Sequence, residues 1–261
     1  MVGRRRRGTV ERVLSRGGAV ESSGSSGRGV PGGEVAERAT TADAEDLGER
    51  RAAVAELGSR LRELTEAAML TEVAPEELRR VAAEAAELAR ALRQRRREVS
   101  EPASVDDFQG GVRMYNPVIG KGHPLAPPIR FEVDGAYVEG QCTLGAAHEG
   151  PPACSHGGMS ALWVDQALGH AAAAVDNRGM TTHLSVRYRR PVPLEVPLRI
   201  WARATEVDGN RTITEGGITT VAEPDVELVA AEARFLRIDP DQARHMFPSM
   251  FDTAGSAGER G

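Results

Sequence analysis

Residues 155–170 read SHGGMSALWVDQALGH, and this stretch decides the fold of the chain. A His-Gly-Gly triplet opens it at His156, an apolar run follows, and Asp165 interrupts that run. The pattern predicts a helix, and its glycines let another group approach the free N–H groups at the positive end of the helix dipole. A carboxylate on an otherwise apolar helix is costly to bury unless it has a partner or a task. Asp165 is therefore a candidate functional residue.

A second stretch, residues 179–194, reads GMTTHLSVRYRRPVPL. Together the two stretches resemble the hotdog-fold acyl-CoA thioesterases, most closely the PaaI-like and thioesterase-superfamily-member branch. That family combines His-Gly-Gly, an acid nine positions after the His, and a strand with a Ser or Thr that ends in Tyr-x-x-Pro-x-Pro-Leu. His156 and Asp165 have that spacing. The resemblance covers about residues 116–239 and implies an antiparallel sheet wrapped on one long central helix.

A thioester hydrolase needs a base or nucleophile, a positioned water and donors directed at the carbonyl oxygen. Asp165 is the candidate for the first role, because an apolar environment raises the basicity of a carboxylate. The resemblance implies that Thr181 holds the attacking water, and Thr182 is the alternative because neighbouring strand residues face opposite sides. It also implies that the Gly157 backbone N–H is the oxyanion donor, while His156 shapes the turn within the site.

Substrate binding is assigned to Gly158, to Thr182 and to three arginines in or after the predicted strand. Guanidinium groups suit the phosphates of coenzyme A. A solvated strand face explains the arginines equally well, and both interpretations stay open for Arg187, Arg189 and Arg190. Many relatives carry Asn six residues before the His, where this chain has Gly150. That departure leaves open how the thioester is polarised.

The spacing of the two catalytic groups predicts a partner chain. Gly157 and Asp165 are eight residues apart, which is about 12 Å along a helix. One thioester group cannot contact both within one chain, because catalytic contacts require about 3 Å. If both act on one carbonyl, the site combines two protomers, so we expect a homodimer or a dimer of dimers. The resemblance implies the same composite site.

Three functions remain in competition at this point. The first is an acyl-CoA thioesterase that acts on a fatty or aryl acyl-CoA with no metal and no nucleotide cofactor. The second is a hydratase or dehydratase of the same fold, whose Asp and His have a different spacing from that of His156 and Asp165. The third is a hotdog domain that binds acyl groups or mediates dimerisation without hydrolysis.

Composition excludes several other classes. The formal net charge of −5 argues against a general nucleic-acid-binding protein. No apolar run approaches the roughly 20 residues that span a bilayer. Two cysteines, Cys142 and Cys154, form neither a disulfide framework nor a metal cluster, which favours a reducing cytoplasm.

The chain divides into five segments with different patterns. Residues 1–42 are rich in Gly, Ser and Arg and are predicted to be a disordered tail. Residues 43–99 predict two amphipathic helices that form a hairpin or a coiled-coil arm for packing or oligomerisation, and we expect this arm to be dispensable for chemistry. Residues 100–128 predict an irregular linker, 129–240 the α+β hotdog domain in the order β-β-α-β-β-β-β, and 241–261 a flexible C-terminal tail.

Overall fold

The structure, a computed structural model, describes residues 41–108 and 110–246. The predicted disordered tail lies outside this range except for residues 41 and 42, and so do residues 247–261. Two helices, α1 (Thr41–Leu70) and α2 (Pro75–Arg93), precede the domain. The domain then contains β1 (Phe131–Asp134), β2 (Tyr137–Cys142), α3 (Gly157–Ala174), β3 (Met180–Tyr188), β4 (Leu198–Asp208), β5 (Arg211–Thr220) and β6 (Val229–Leu236). This order of elements is the predicted one.

The six strands form one antiparallel sheet in the order β1-β2-β4-β5-β6-β3, and α3 packs across one of its faces. Alternate residues of β4, Leu198, Ile200 and Ala202, are fully buried against this helix, as expected for a strand with one face in the core. Trp163 and Leu168 of α3 are fully buried in the same cluster. The α+β architecture predicted from the sequence is confirmed.

Strand β3 lies at an edge of the sheet. It pairs with β6 on one side, and no described strand pairs with its other side. Most of its residues are exposed, including Met180 and Tyr188 at its two ends. An edge strand of nine residues presents a row of free N–H and C=O groups that can pair with another chain.

Helix α1 packs against the irregular segment that precedes the sheet. Gly58 is buried there, and a Cβ atom on it would lie 2.3 Å from the carbonyl oxygen of Lys121, so the close approach requires glycine. One turn later, Arg62 donates to the carbonyl oxygens of Lys121 and His123 at 2.9 and 3.0 Å. These contacts fix α1 to the domain.

Helix α2 does not complete the hairpin that was one of the two predicted arrangements, because none of its residues is buried. The other arrangement, a coiled coil, stays a prediction. The inward face of α1 is occupied by the irregular segment, and α1 and α2 do not pack along each other.

Within the described residues, no helix is both long and apolar enough to cross a membrane.

The C-terminal end of the described chain also differs from its prediction. Part of the segment expected to be a flexible tail forms a short helix, α4 (Pro240–Met246). The side chain of Asp239 accepts the N–H of Asp241 at 2.9 Å, and proline at the first helical position needs no partner for a missing N–H. These two features favour the start of a helix at Pro240.

Candidate active site

The glycine-rich start of α3 leaves one backbone donor free. His156 is the N-cap, and its Nδ1 accepts the N–H of Gly158 at 3.1 Å. Gly157 is the first helical residue, and its N–H donates to no described group. A Cβ atom on Gly158 would lie 3.2 Å from His156 Nδ1, so a larger residue would crowd the cap. The structure therefore places His156, Gly157 and Gly158 at the N-terminus of α3, with the histidine bonded locally.

Tyr188 borders this helix start, although no role was predicted for it. Its hydroxyl donates to the carbonyl oxygen of Gly157 at 2.9 Å. A Cβ atom on Gly157 would lie 3.4 Å from the tyrosine ring, so the ring covers the glycine on one side. The tyrosine of the Tyr-x-x-Pro-x-Pro-Leu motif is the sequence signal from which this contact could have been suspected.

Asp165 lies two turns into α3 and contacts the start of β3. The Thr181 hydroxyl donates to Asp165 Oδ1 at 3.0 Å. Burial of this half-buried carboxyl raises its pKa above the ordinary value, and the hydrogen bond from Thr181 opposes that rise in part. The carboxylate is thus a stronger base than a solvated aspartate, with a hydroxyl placed beside it.

A β-bulge at Thr182 gives the two neighbouring threonines different hydrogen-bond partners. The pairing of β3 with β6 shifts between Thr181 and His183, so Thr182 is the extra residue. The Thr182 hydroxyl donates to the carbonyl oxygen of Arg234 at 3.0 Å, away from Asp165. Bulges often redirect a side chain next to an active site. Here Thr181, and not the bulged Thr182, contacts Asp165.

The loop before α3 closes tightly on the N-cap. His148 is buried, its ring nitrogen Nε2 bonds the carbonyl oxygen of Leu125 at 2.8 Å, and its own carbonyl oxygen accepts the His156 N–H at 2.9 Å. Gly150 faces the N-cap backbone so closely that a Cβ atom would lie 2.7 Å from His156 Cα. An asparagine side chain therefore has no room at position 150 in this loop.

Helix α1 supports the same loop from the other side. The Glu66 carboxylate accepts the N–H groups of Ala146 and Ala147 at 2.8 and 3.3 Å. These residues begin a short 3-10 helix, Ala146–His148, that leads to the contact with His156. The predicted arm is thus connected to the start of α3 through one carboxylate and one short helix.

The three arginines have different surroundings. Arg189 forms an ion pair with Glu227 at 3.1 Å, so part of its charge is already compensated. Arg187 and Arg190 are exposed and form no ion pair with a described residue. Because β3 ends at Tyr188, Arg187 lies in the strand while the other two lie in the turn that follows.

The two groups of candidate residues lie at opposite ends of β3. Thr181 and Asp165 meet near its first residue, whereas Tyr188 and Gly157 meet at its last. Along α3 the two groups are eight residues apart, about 12 Å. A single chain therefore brings the acid and the free donor to different places.

Among the described residues, no three His, Cys, Asp or Glu side chains are grouped as metal ligands.

Comparisons with known proteins place these observations in a family context. The model of the thioesterase superfamily matches residues 155–225. A crystal structure described as a thioesterase superfamily protein is 35% identical, with a TM-score of 0.63, and the match covers 70% of this chain and 94% of that chain.

Two curated relatives match a shorter part. Acyl-coenzyme A thioesterase THEM4 of Xenopus laevis is 29% identical over 92 residues, 35% of this chain and 41% of its own length. The Mus musculus protein of the same name is 26% identical over 94 residues, 36% of this chain and 40% of its own length. The chain thus spans about two fifths of the length of these relatives.

Proposed function

Because this chain belongs to the thioesterase superfamily, we propose that it hydrolyses the thioester of a fatty or aryl acyl-CoA. The observation that carries the proposal is the hydrogen bond between Thr181 and the half-buried Asp165. A carboxylate whose pKa is raised by burial is suited to accept a proton, and a hydroxyl beside it is suited to position water. The two acyl-coenzyme A thioesterases among the relatives support the substrate class.

Two routes are compatible with this pair of side chains. In the first, Asp165 accepts a proton from a water that Thr181 positions, and the resulting hydroxide adds to the thioester carbon. The carbon–sulfur bond then breaks, and the thiolate of coenzyme A takes the proton from the Asp165 carboxyl. In the second, the carboxylate adds to the thioester carbon directly, the thiolate leaves, and water hydrolyses the mixed anhydride.

The free N–H of Gly157 is the proposed oxyanion donor in either route. Negative charge develops on the carbonyl oxygen when the carbon becomes tetrahedral, and a fixed donor stabilises that charge. Gly157 is the first helical residue, so its N–H also carries part of the positive end of the helix dipole. His156 holds the neighbouring N–H of Gly158 and leaves that of Gly157 for the substrate.

The site needs a second copy of the chain to be complete. We propose that β3 pairs with β3 of another protomer, because its free edge offers unpaired backbone groups. Antiparallel pairing about a two-fold axis places the first residues of one β3 beside the last residues of the other. The Asp165 end of one chain then meets the Gly157 end of its partner, and two equivalent sites form.

Arg187 and Arg190 are proposed to bind phosphates of coenzyme A. Both are exposed without an ion pair to a described residue, so their guanidinium groups are available for a ligand. Arg189 contributes less, because Glu227 already compensates its charge. The adjacency of these arginines to Tyr188 places them at the Gly157 end of the strand.

A second candidate function is acyl binding or dimerisation without hydrolysis. It is favoured by the loop before α3, where Gly150 occupies the position of the family asparagine and leaves no room for that side chain. A module of this kind would bind acyl-CoA and release no free thiol.

Hydrolysis of acyl-CoAs of graded chain length, measured by release of free thiol, separates the two functions. We expect turnover in the wild type and a loss of roughly 100-fold or more in Asp165→Asn, the usual scale for a general base. The matched control is Asp176→Asn, an exposed position with φ 55°, a conformation that asparagine adopts readily. Equal turnover of Asp165→Asn and wild type would exclude the proposed mechanism.

A further inference from the structure

Helix α2 carries an apolar stripe that no described residue covers. Its apolar residues recur at three- and four-residue spacing: Leu78, Val81, Ala85, Leu88 and Leu92. None of them is buried, and Leu88 and Leu92 are 64% and 57% exposed. An amphipathic helix in a folded protein places such a stripe against a partner surface.

The helix has little else to stabilise it. Its contacts along the chain are surface ion pairs, in which Arg80 bridges Glu77 and Glu84 and Arg90 pairs with Glu87. Exposed ion pairs contribute little to stability, and most helical stability in proteins comes from packing of the apolar face. The stripe therefore requires an occupant.

The stripe can oppose a reversed copy of itself in a register centred on Ala85. In that register Leu78 of one helix faces Leu92 of the other, and Val81 falls on Ala89, one residue from Leu88. Apolar side chains therefore meet apolar side chains along the whole stripe, as a two-fold contact between identical chains requires.

The charges of α2 favour the same geometry. Its first turn contains Glu76 and Glu77, and its last turn contains Arg90 and Arg93. Antiparallel pairing sets the acidic end of one helix beside the basic end of the other, whereas parallel pairing opposes like charges at both ends. We propose that α2 of one chain pairs antiparallel with α2 of a second copy, centred on Ala85.

This contact is separate from the β3 edge. Two chains joined through β3 leave their α2 stripes free to pair with other copies, so a dimer joined at β3 would associate further. Cross-linking and the mass of the assembly test this contact directly, and neither measurement depends on turnover.

Thiol cross-linking tests the geometry. In full-length chains with Cys142 and Cys154 replaced by alanine, a short bismaleimide should join two chains of Ala85→Cys. It should not join Ala83→Cys, which lies on the opposite face of the helix and serves as the control. Leu78→Cys and Leu92→Cys should cross-link when mixed and not when each is alone.

The remaining outcomes contradict the proposal. Cross-linking of Leu78→Cys by itself would indicate parallel helices. Absence of cross-links in Ala85→Cys, in samples that sedimentation shows to be assembled, would mean that another surface covers the stripe. That surface would be α1 or a different part of a second copy.

Sedimentation equilibrium tests the energetic role of the stripe. Leu88→Glu places a charge in the contact and should lower the mass of the assembly to that of the species held by other contacts, while Ala83→Glu on the opposite face should leave it unchanged. Circular dichroism confirms that both variants keep their helices. An unchanged mass in folded Leu88→Glu would overturn the proposal.

Discussion

Complementation between two inactive variants tests whether each site combines two chains. Asp165→Asn removes the acid but keeps an oxygen that accepts the Thr181 hydroxyl. Gly157→Pro removes the free N–H. Proline suits the first helical position, and His156 before it has φ −63° and ψ 134°, the extended conformation that a residue before proline prefers. A Cβ atom at position 157 would make an ordinary contact with Tyr188 at 3.4 Å, so we expect both variants to fold.

The expected activity follows from the arrangement of the two groups. The acid and the donor lie at opposite ends of β3, so antiparallel pairing gives each site an acid from one chain and a donor from the other. In a mixed dimer, one site receives both damaged groups and the other receives both intact ones. Random pairing makes about half of the dimers mixed, and half of their sites are intact, so about a quarter of wild-type activity should return.

The assay is thiol release after the two variants are unfolded and refolded together. Native mass spectrometry of a size-tagged pair verifies that mixed dimers have formed, and each variant refolded alone gives the baseline. Activity that stays at the baseline in confirmed mixed dimers would refute the two-chain site, because a site within one chain is damaged in every protomer.

Three further substitutions, one of them with a matched control variant, test individual contacts. Thr181→Val removes the hydrogen bond that lowers the pKa of Asp165, so this pKa should rise further. The acidic limb of the pH profile of kcat/KM should then move to higher pH. An unmoved limb would contradict the assignment of Asp165 as the base. Glu66→Ala removes the acceptor of two backbone N–H groups and should cost about 2 kcal/mol in urea unfolding, because bonds to charged groups contribute most. Glu63→Ala on the exposed side of the same helix should change stability little, and equal effects would show that the loop does not depend on this carboxylate. Gly150→Ala should lower stability by about 1–3 kcal/mol, because its Cβ would meet backbone atoms of the N-cap at 2.7 Å, and a neutral effect would mean that the loop moves freely.

The sequence predicted the fold because the domain follows simple periodicities. The core strands alternate with period two, and the membership in the thioesterase superfamily confirms the hotdog resemblance. The packing of α1 could not be predicted from such periodicities. Gly58 contacts the Lys121 carbonyl and Glu66 contacts Ala146, and neither contact follows a spacing along the chain.

The sequence indicated candidate residues for the site but not their contacts. Asp165 and Thr181, both candidates, are joined by a hydrogen bond, and the choice between Thr181 and Thr182 depends on a bulge that no sequence pattern marks. Tyr188 belongs to the strand-ending motif, but no role was predicted for it, since an exposed tyrosine at a strand end is common. Its hydrogen bond to Gly157 depends on how β3 crosses α3.

The structure connects one helix of the predicted arm, α1, to the candidate active site. The arm was expected to be dispensable for chemistry because the catalytic candidates follow residue 155. Glu66 nevertheless holds the 3-10 helix whose last residue, His148, accepts the N–H of His156. We therefore expect removal of α2 alone to preserve turnover, and removal of α1 to disturb the start of α3.

The close contact at Gly150 restricts how this loop can change in evolution and in engineering. A single substitution to the asparagine of its relatives would press on the backbone of His156 before it offered any new donor. The segment between Glu149 and Ser155, whose ends pair with each other, would have to be exchanged as one unit. Loops of the two kinds are therefore separated by intermediates that fold poorly, and grafting a whole loop is the practical way to interconvert them.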